Sequence, residues 1–304
     1  MRVLIPGVAG GLARQVAARL LRLGHEVIGI DPRRFWDVPD GLELYPVDVR
    51  KRAAEDVFRK RRPDAVVHMA TVTSLQVQGD ERDRINLGGT RAVFDHCRTY
   101  GVKQVVFVGR HTFYGAAPDA ALYHTEEEPP LALASFPALA DLVAADLYAA
   151  TSLWRDPSMR TSVLRMVYTL GPALHGTLGA FLRGRVVPIV LGYDPLFQFL
   201  HEQDAVSAIV LALEKQLRGL YNVAGLQPLP LSLIIRESGR TALPLPEFLL
   251  ERVLGHGGLP GLPPGALSHL KFPIVVDGRR FREETGFAPT RDEVQTLHDI
   301  QLPR

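Results

Sequence analysis

The sequence predicts an α/β protein built on a doubly wound parallel sheet, with a smaller lobe formed by its C-terminal part. Two observations carry this prediction. From the start, short apolar runs alternate with stretches whose apolar residues recur at helical spacing, which is typical of parallel strands covered by helices on both faces. A glycine cluster at 7–11 separates the first apolar run from the first helical pattern, as in Rossmann-type nucleotide-binding folds.

Each strand of the first half is predicted from a short run of apolar residues. The runs lie at 2–6, 26–30, 42–47, 65–70, 105–108 and 162–165. Between them, apolar residues at helical spacing predict helices. These helices lie at 12–20, 53–58, 83–100 and 137–151. Right-handed crossovers between such strands produce the doubly wound arrangement.

The chain changes character after Met166, where short pieces punctuated by glycine and proline follow. The elements predicted there are helices at 233–238 and 246–254, a strand at 274–276 and two final helices. We predict an NAD-binding Rossmann domain and a substrate-binding lobe that share the chain in alternating segments. The first comprises 1–166 and 198–225, and the second comprises 167–197 and 226–304.

Composition argues against several kinds of partner. Apolar residues make up 46% of the chain and the formal net charge is +2, which is ordinary for a globular protein. Basic clusters at 51–52 and 59–62 lie on a predicted helix without interleaved aromatics, so we expect solvated faces and no nucleic-acid partner. The single cysteine, Cys97, excludes an internal disulfide, and no metal site is predicted. Without a signal peptide or an uncharged apolar stretch of about 18 residues, a cytoplasmic protein with no membrane contact is expected.

The glycine cluster has the spacing of a dinucleotide-binding turn. Gly7, Gly10 and Ala13 give the pattern Gly-x-x-Gly-x-x-Ala between the first strand and the first helix. Such a turn lets the backbone approach a diphosphate, which the free N–H groups and positive dipole end of the helix then bind. The residues expected to contact the cofactor here are Gly7, Val8, Ala9, Gly10, Gly11 and Leu12.

An acidic residue ends the second strand, where it would accept hydrogen bonds from the adenosine ribose. This residue is Asp31, and its carboxylate would repel a 2′-phosphate, so NAD is favoured over NADP. Arg33 and Arg34 follow and would act in the opposite direction. An alternative interpretation makes Asp31 a turn residue before Pro32.

Further segments, in order along nearly the whole chain, resemble those of the extended short-chain dehydrogenase/reductases, the NAD-dependent epimerase/dehydratase group. The matching segments are Asp48-Val49, His68-Met69-Ala70-Thr71, Asn86 to Thr90, Phe113-Tyr114-Gly115, Leu164-Arg165 with Gly171-Pro172, Phe199-Leu200-His201 with Asp204, and Tyr221-Asn222-Val223. The resemblance implies a nucleotide-sugar ligand and, since homodimers are common in the group, a homodimer. It also implies further cofactor contacts from Asp48, Val49, Met69, Ala70, Thr71, Asn86, Val108 and Met166.

The resemblance fails at the catalytic residues of that group. The group uses a tyrosine with a lysine one helical turn later, but no lysine lies between Lys103 and Lys215. Asp141 stands at the lysine position. Arg110 replaces the catalytic hydroxyl, with Thr112 nearby. Each acid–base group of this kind contributes about 10² to 10⁴-fold, so the usual chemistry should be crippled.

Residues near the end of the fifth strand are candidates to replace the missing groups. Arg110 is suited to bind a carboxylate or phosphate, and His111 to exchange protons. Tyr168 stands where the group has an asparagine, and its phenol is a candidate to replace the missing catalytic tyrosine. The alternative interpretations make Arg110 a surface residue, His111 a histidine hydrogen-bonded to backbone and Tyr168 a packing aromatic. His124 is expected in an exposed acidic loop.

The sequence is compatible with two classes of function, an enzyme and a binding protein. The leading interpretation is an enzyme of altered catalytic residues that acts on a polar small molecule such as a nucleotide sugar. The rival is a non-catalytic NAD(H)-dependent sensor or regulatory protein, because the glycine turn is kept while the catalytic residues are lost. A third possibility is a scaffold that no longer binds dinucleotide, in which the turn would be blocked.

Overall fold

A seven-stranded parallel sheet forms the centre of the molecule. Its strands lie side by side in the order 219–223, 160–166, 104–110, 65–68, 2–6, 26–30 and 43–45. The structure is a computed structural model that describes residues 1–73, 79–253 and 265–302. The strands of the central sheet are β1 (Arg2–Pro6), β2 (Glu26–Ile30), β3 (Glu43–Tyr45), β4 (Ala65–His68), β5 (Gln104–Arg110), β6 (Arg160–Met166) and β11 (Gly219–Val223). The remaining strands are β7 (Tyr168–Leu170), β8 (Val186–Val190), β9 (Leu196–Phe197), β10 (Phe199–His201), β12 (Leu229–Pro230) and β13 (Thr241–Leu245).

Helices connect the strands and cover both faces of the sheet. The α-helices are α1 (Gly11–Arg22), α2 (Arg52–Arg61), α3 (Asp80–Asp83), α4 (Gly89–Thr99), α5 (Ala132–Ser135), α6 (Ala140–Arg155), α7 (Gly176–Phe181), α8 (Glu202–Glu214), α9 (Leu231–Glu237), α10 (Glu247–Val253), α11 (Ser268–Lys271), α12 (Arg279–Thr285) and α13 (Glu293–Asp299). Among the described residues, no helix is both long and apolar enough to cross a membrane.

The alternation of side chains along the strands explains why helices are needed on both faces. In β1, Val3 and Ile5 belong to one apolar cluster and Leu4 to the other, because successive strand residues point to opposite faces. The first cluster packs against α1 and α8, and the second packs against α2, α4 and α6. A third cluster lies in the C-terminal part, around α7, α9 and α13.

The strand order places the glycine turn at the point where the chain reverses direction across the sheet. From β1 the chain adds β2 and β3 on one side, then returns to add β4 on the other. Ligands of doubly wound proteins bind at this point, outside the carboxyl ends of the strands. The turn that follows β1 therefore opens into the expected binding crevice.

Gly7 allows the turn to pass directly over β4. Its φ is +86°, and a Cβ atom built on it would lie 2.5 Å from the carbonyl oxygen of Met69. No L-residue fits there without displacing backbone, since both the left-handed conformation and the space require glycine. Met69 in turn donates its N–H to the carbonyl of Pro6, so β1 and β4 are joined at the mouth of the crevice.

Several element boundaries differ from those predicted. The strand predicted at 42–47 is shorter, Glu43–Tyr45. The helix predicted at 83–100 begins earlier and contains a π-helical turn at Arg84–Gly88. The helix predicted at 137–151 begins at Ala140, after a short 3₁₀ turn at Pro137–Leu139.

Two expectations for the C-terminal part and its contacts are wrong. The segment 274–276 is not a strand, and Val276 forms only an isolated bridge with His124. The reason is that the Gln198 side chain occupies both polar backbone groups of Val276, accepting its N–H and donating to its carbonyl. His124 is fully buried, not exposed, because its ring stacks on Tyr114 at 4.9 Å.

A buried ion pair joins β6 to α6 beneath the crevice. Arg165 and Asp146 are 2.9 Å apart and both nearly inaccessible to solvent. The guanidinium also donates to the Tyr114 hydroxyl and lies 3.6 Å over the Phe113 ring. Arg165 therefore connects β6 to the segment after β5. The Tyr114 hydroxyl in turn donates to Asn222 at 2.8 Å, which extends the connection to β11.

Removing the acid of this pair should destabilise the fold. Asp146→Asn leaves the Arg165 charge buried without a partner, and we expect a loss of about 3 kcal/mol in the free energy of unfolding. Urea unfolding measures this loss. The matched control is Asp56→Asn in the exposed Arg59–Asp56 pair of α2, which should change stability little. Equal effects of the two substitutions would contradict the importance given to the buried pair.

Candidate active site

One cleft is lined by half of the residues predicted to bind cofactor and by three of the four predicted to act on substrate. The cavity in this cleft has a volume of about 220 Å³. The predicted cofactor residues that line it are Gly7, Gly10, Gly11, Leu12, Met69, Thr71, Val108 and Met166. The predicted catalytic residues that line it are Arg110, His111 and Tyr168. The crevice thus joins the glycine turn to the carboxyl ends of β5, β6 and β7.

The glycine turn is built to receive an anion. Gly10 donates its N–H to the carbonyl of Gly7, and the first intrahelical bond of α1 runs from Arg14 to Gly10. The amides of residues 11–13 precede that bond, so they are free at the positive end of the helix dipole. Because these amides are free and lie at the positive end of the helix dipole, the turn fits a diphosphate. Val8 contributes backbone only, since its side chain packs against Gly29.

Asp31 is held at the end of β2 by several hydrogen bonds. Its carboxylate accepts the N–H groups of Ala9 and Arg33, and the Arg33 guanidinium bonds both of its oxygens. The carboxylate is buried, whereas the Arg33 side chain is 66% exposed. The acid therefore connects β2 to the glycine turn, and Arg33 covers it from the solvent side.

The other predicted cofactor residues lie outside the lining of the cleft. Asp48 is paired with Arg50 at 2.6 Å, Val49 is buried in the core, and the backbone of Ala70 lies against Gly7. Asn86 is fully buried, accepts the Val72 N–H and donates to the Val72 carbonyl and to Asp141. These bonds use both N–H groups of the Asn86 amide.

Asp141 occupies the position at which the family resemblance predicts a lysine. An arginine, Arg82, lies beside this acid. Asp141 lies 3.0 Å from the Arg82 guanidinium and accepts a hydrogen bond from Asn86 at 2.5 Å. Arg82 comes from α3 and is only 4% exposed. This pairing could not be predicted from the sequence, because Arg82 stands in an acidic segment, Asp80-Glu81-Arg82-Asp83, that is typical of a solvated helix start.

Arg110 is the uncompensated charge of the cleft. Its nearest side-chain partner among the described residues is the Thr177 hydroxyl at 3.5 Å, and no carboxylate of the described chain lies within ion-pair distance of it. Desolvation lowers the pKa of Arg110 to about 10, so the guanidinium stays cationic at neutral pH. A cation in such a place lacks a counter-ion that a bound anion would supply.

His111 and Tyr168 form an edge-to-face pair beside Arg110, with ring centroids 4.5 Å apart. The His111 Nδ1 lies 3.1 Å from the Met166 carbonyl, which can only accept, so Nδ1 carries the proton. Burial lowers the pKa of His111 to about 3 and raises that of Tyr168 to about 12. At neutral pH the imidazole is therefore uncharged and the phenol remains protonated.

Other residues around the cleft differ from the prediction. Thr112 lines a second, smaller cavity of about 20 Å³, together with Arg110 and Asp146. Sequence reasoning missed His175, Gly176 and Thr177, which line the main cleft from the loop after β7. No motif marks this loop, and only the fold brings it to the glycine turn. No group of three or more His, Cys, Asp or Glu side chains in the described ranges forms a metal site.

Comparison with known proteins decides the family. Residues 3–224 match the model of the NAD dependent epimerase/dehydratase family. The chain belongs to this family. The match covers the central sheet and the glycine turn, and it confirms both the resemblance seen in the sequence and the doubly wound fold.

Individual relatives cover nearly the whole chain. An uncharacterized protein of Mycobacterium tuberculosis is 28% identical over 309 residues, which cover 98% of this chain and 82% of that protein. The 3-diazoavenalumate denitrifying reductase of a Streptomyces species is 28% identical and covers 84% of this chain and 88% of its own. The Thermus thermophilus UDP-glucose 4-epimerase, solved in complex with NAD, has a TM-score of 0.77 at 24% identity, with 99% and 97% of the two chains covered.

The neutral state of His111 gives this family member a pH-dependent stability. Unfolded histidine binds a proton near pH 6.5, whereas the folded ring does so only near pH 3. Stability should therefore fall as the pH drops below 6.5, by up to about 1.4 kcal/mol per pH unit for this residue. We expect His111→Gln to flatten that slope, measured by urea unfolding at pH 7 and pH 5. Tyr168→Phe alters the same ring pair without a titrating group in this range and should keep the slope. An unchanged slope in His111→Gln would contradict the assignment.

Proposed function

We propose that the protein binds NAD(H) in the main cleft and acts there on an anionic, polar small molecule that Arg110 orients. One observation carries the proposal. The glycine turn and the unpaired Arg110 guanidinium line the same cavity. A dinucleotide held at the turn and an anion held at Arg110 would therefore share one solvent-restricted space.

Family membership and local geometry support the dinucleotide. The family is named for its NAD dependence, and the Thermus relative was solved with NAD. The groups that would hold the diphosphate are the amides of residues 11–13, and Asp31 would receive the adenosine ribose once Arg33 turns outward. The buried carboxylate of Asp31 disfavours a 2′-phosphate beside it, which supports NAD over NADP.

The charge of Arg110 supports an anionic substrate. A nucleotide sugar, such as the one named for the UDP-glucose 4-epimerase relative, carries a diphosphate. The Streptomyces relative is named for 3-diazoavenalumate, a carboxylate by its name. A guanidinium binds either anion through two parallel hydrogen bonds. The unpaired cation and the names of both relatives therefore support an anionic substrate.

The chain's own residues can supply positioning and one proton. NAD, when bound, supplies hydride acceptance or donation at its nicotinamide ring. Arg110 fixes the anion, and the protonated Tyr168 phenol donates a proton or hydrogen bond to a substrate oxygen. The His111 ring holds Tyr168 edge-on, and its Nδ1 bond to Met166 fixes its own orientation. The Arg82–Asp141 pair holds α3 against α6 behind this wall.

A second function, NAD(H)-dependent sensing without turnover, has its own supporting observation. The pKa values of His111 and Tyr168 lie far from neutrality on opposite sides, so neither residue is poised to exchange protons at pH 7. A ligand-dependent protein needs only the glycine turn and the Arg110 site, both of which this chain keeps.

Titration with cofactor and substrate separates the two functions. We expect NADH to bind more tightly than NADPH by calorimetry, because Asp31 lies at the ribose site. Nicotinamide absorbance and the formation of product by chromatography are then followed with UDP-glucose, UDP-glucuronate and aromatic carboxylates, because a reaction that returns the hydride to its substrate leaves the absorbance unchanged. Turnover with any of these anions supports the enzyme. Tight NADH binding with no turnover across the panel favours the sensor, and the absence of any dinucleotide binding would refute both.

Arg110 can be tested separately from the cofactor. Arg110→Gln removes the charge and keeps a hydrogen-bond donor, so affinity for the anionic ligands found above should fall at least about tenfold. NADH affinity should change much less, since the glycine turn is untouched. Arg19→Gln, an exposed arginine on α1, is the matched control and should change neither. A loss of NADH affinity as large as the loss of anion affinity would contradict this assignment of Arg110.

A further inference from the structure

The loop between β7 and α7 lies directly against the glycine turn. A Cβ atom built on Gly11 would be 2.7 Å from Cδ2 and 2.9 Å from Nε2 of His175. The imidazole therefore touches the first residue of α1. It approaches from the opposite wall of the cleft, together with Gly176 and Thr177.

The loop conformation that presents His175 is an uncommon one. Leu174 has a φ of +48°, one of three positive values among non-glycine residues of the described chain, and Gly176 has a φ of +81°. A left-handed conformation is unfavourable for a leucine. It is kept because Leu174 donates its N–H to the Gly171 carbonyl and because Gly179 leaves room for the Leu174 backbone. Such strain is often located at functional positions.

The His175 ring is not used by the protein itself. The side chain is exposed at the cleft, and within the described ranges it forms no hydrogen bond to another residue. Across the contact, the amides of 11–13 are likewise free of intrahelical partners. Two sets of unused donors therefore face the same small space, one from each wall of the cleft. An anion between them would satisfy both.

We infer that His175 binds the diphosphate of the dinucleotide from the side opposite the glycine turn, an inference that rests on the proposed NAD(H) function. The imidazole N–H donates to a phosphate oxygen, while the α1 amides bind the other face. Thr177, two residues on in the first turn of α7, contacts Arg110, so the loop and the helix start that follows it link the diphosphate to the substrate anchor. Cofactor binding would then hold this loop in place beside the substrate.

ADP-ribose is the probe, because it contains the diphosphate without the nicotinamide. We expect His175→Ala to weaken ADP-ribose binding by about tenfold in calorimetry, the effect of losing one hydrogen bond to a charged group. His175→Gln keeps an N–H donor and should recover most of the affinity. His298→Ala, an exposed histidine of α13 far along the chain, is the control and should bind like the parent. Unchanged thermal unfolding of all three variants shows that they remain folded.

The results that would overturn the role of His175 can be distinguished from those that would refute the proposed function. Equal or tighter ADP-ribose binding by His175→Ala would mean that the ring only covers the turn, and would overturn the inference alone. A His175→Gln variant as weak as His175→Ala would also overturn it, because the contact would not be a donated hydrogen bond. If the parent chain binds neither ADP-ribose nor NADH, the proposed function fails and the inference with it.

Discussion

The close passage of the chain at Gly7 over the end of β4 is the constraint on which the site depends. A turn with positive φ and no side chain brings β1, β4 and the start of α1 together. This contact fixes where the free amides of α1 point, and the pairing of β5 with β4 and of β6 with β5 places Arg110 and Met166 at the same edge of the sheet. The Asp31 carboxylate reinforces the turn through the Ala9 amide. The binding crevice is thus a consequence of one backbone crossing.

The distribution of charge around the crevice differs from that of a site built on tyrosine and lysine. One cation, Arg82, is buried and neutralised by Asp141, and it serves to join α3 to α6. The other, Arg110, is left without a carboxylate at the cleft wall. Because an unpaired charge is costly to desolvate, the lack of a carboxylate partner at Arg110 is an argument for the anionic ligand proposed above. The first is explained by packing alone.

Sequence patterns predicted the sheet, the glycine turn and the residues at the strand ends, because strand–helix alternation and turn chemistry are local properties. They did not predict contacts that depend on distant segments. The pairing of Arg82 with Asp141, the approach of His175 to Gly11 and the burial of His124 all arise from elements far apart in the chain. The predicted strand at 274–276 failed for the same reason, since the side chain of Gln198 replaced a neighbouring strand. Asn86 and Thr112 were placed by resemblance, and their side chains are engaged away from the main cleft.

A crystal structure of the protein grown with NADH tests the central claim most directly. We expect the diphosphate within hydrogen-bonding distance of the amides that begin α1, with the nicotinamide end directed toward Arg110 and Tyr168. Electron density for the dinucleotide at another place on the molecule, or a glycine turn closed by its own neighbours at saturating NADH, would contradict the account.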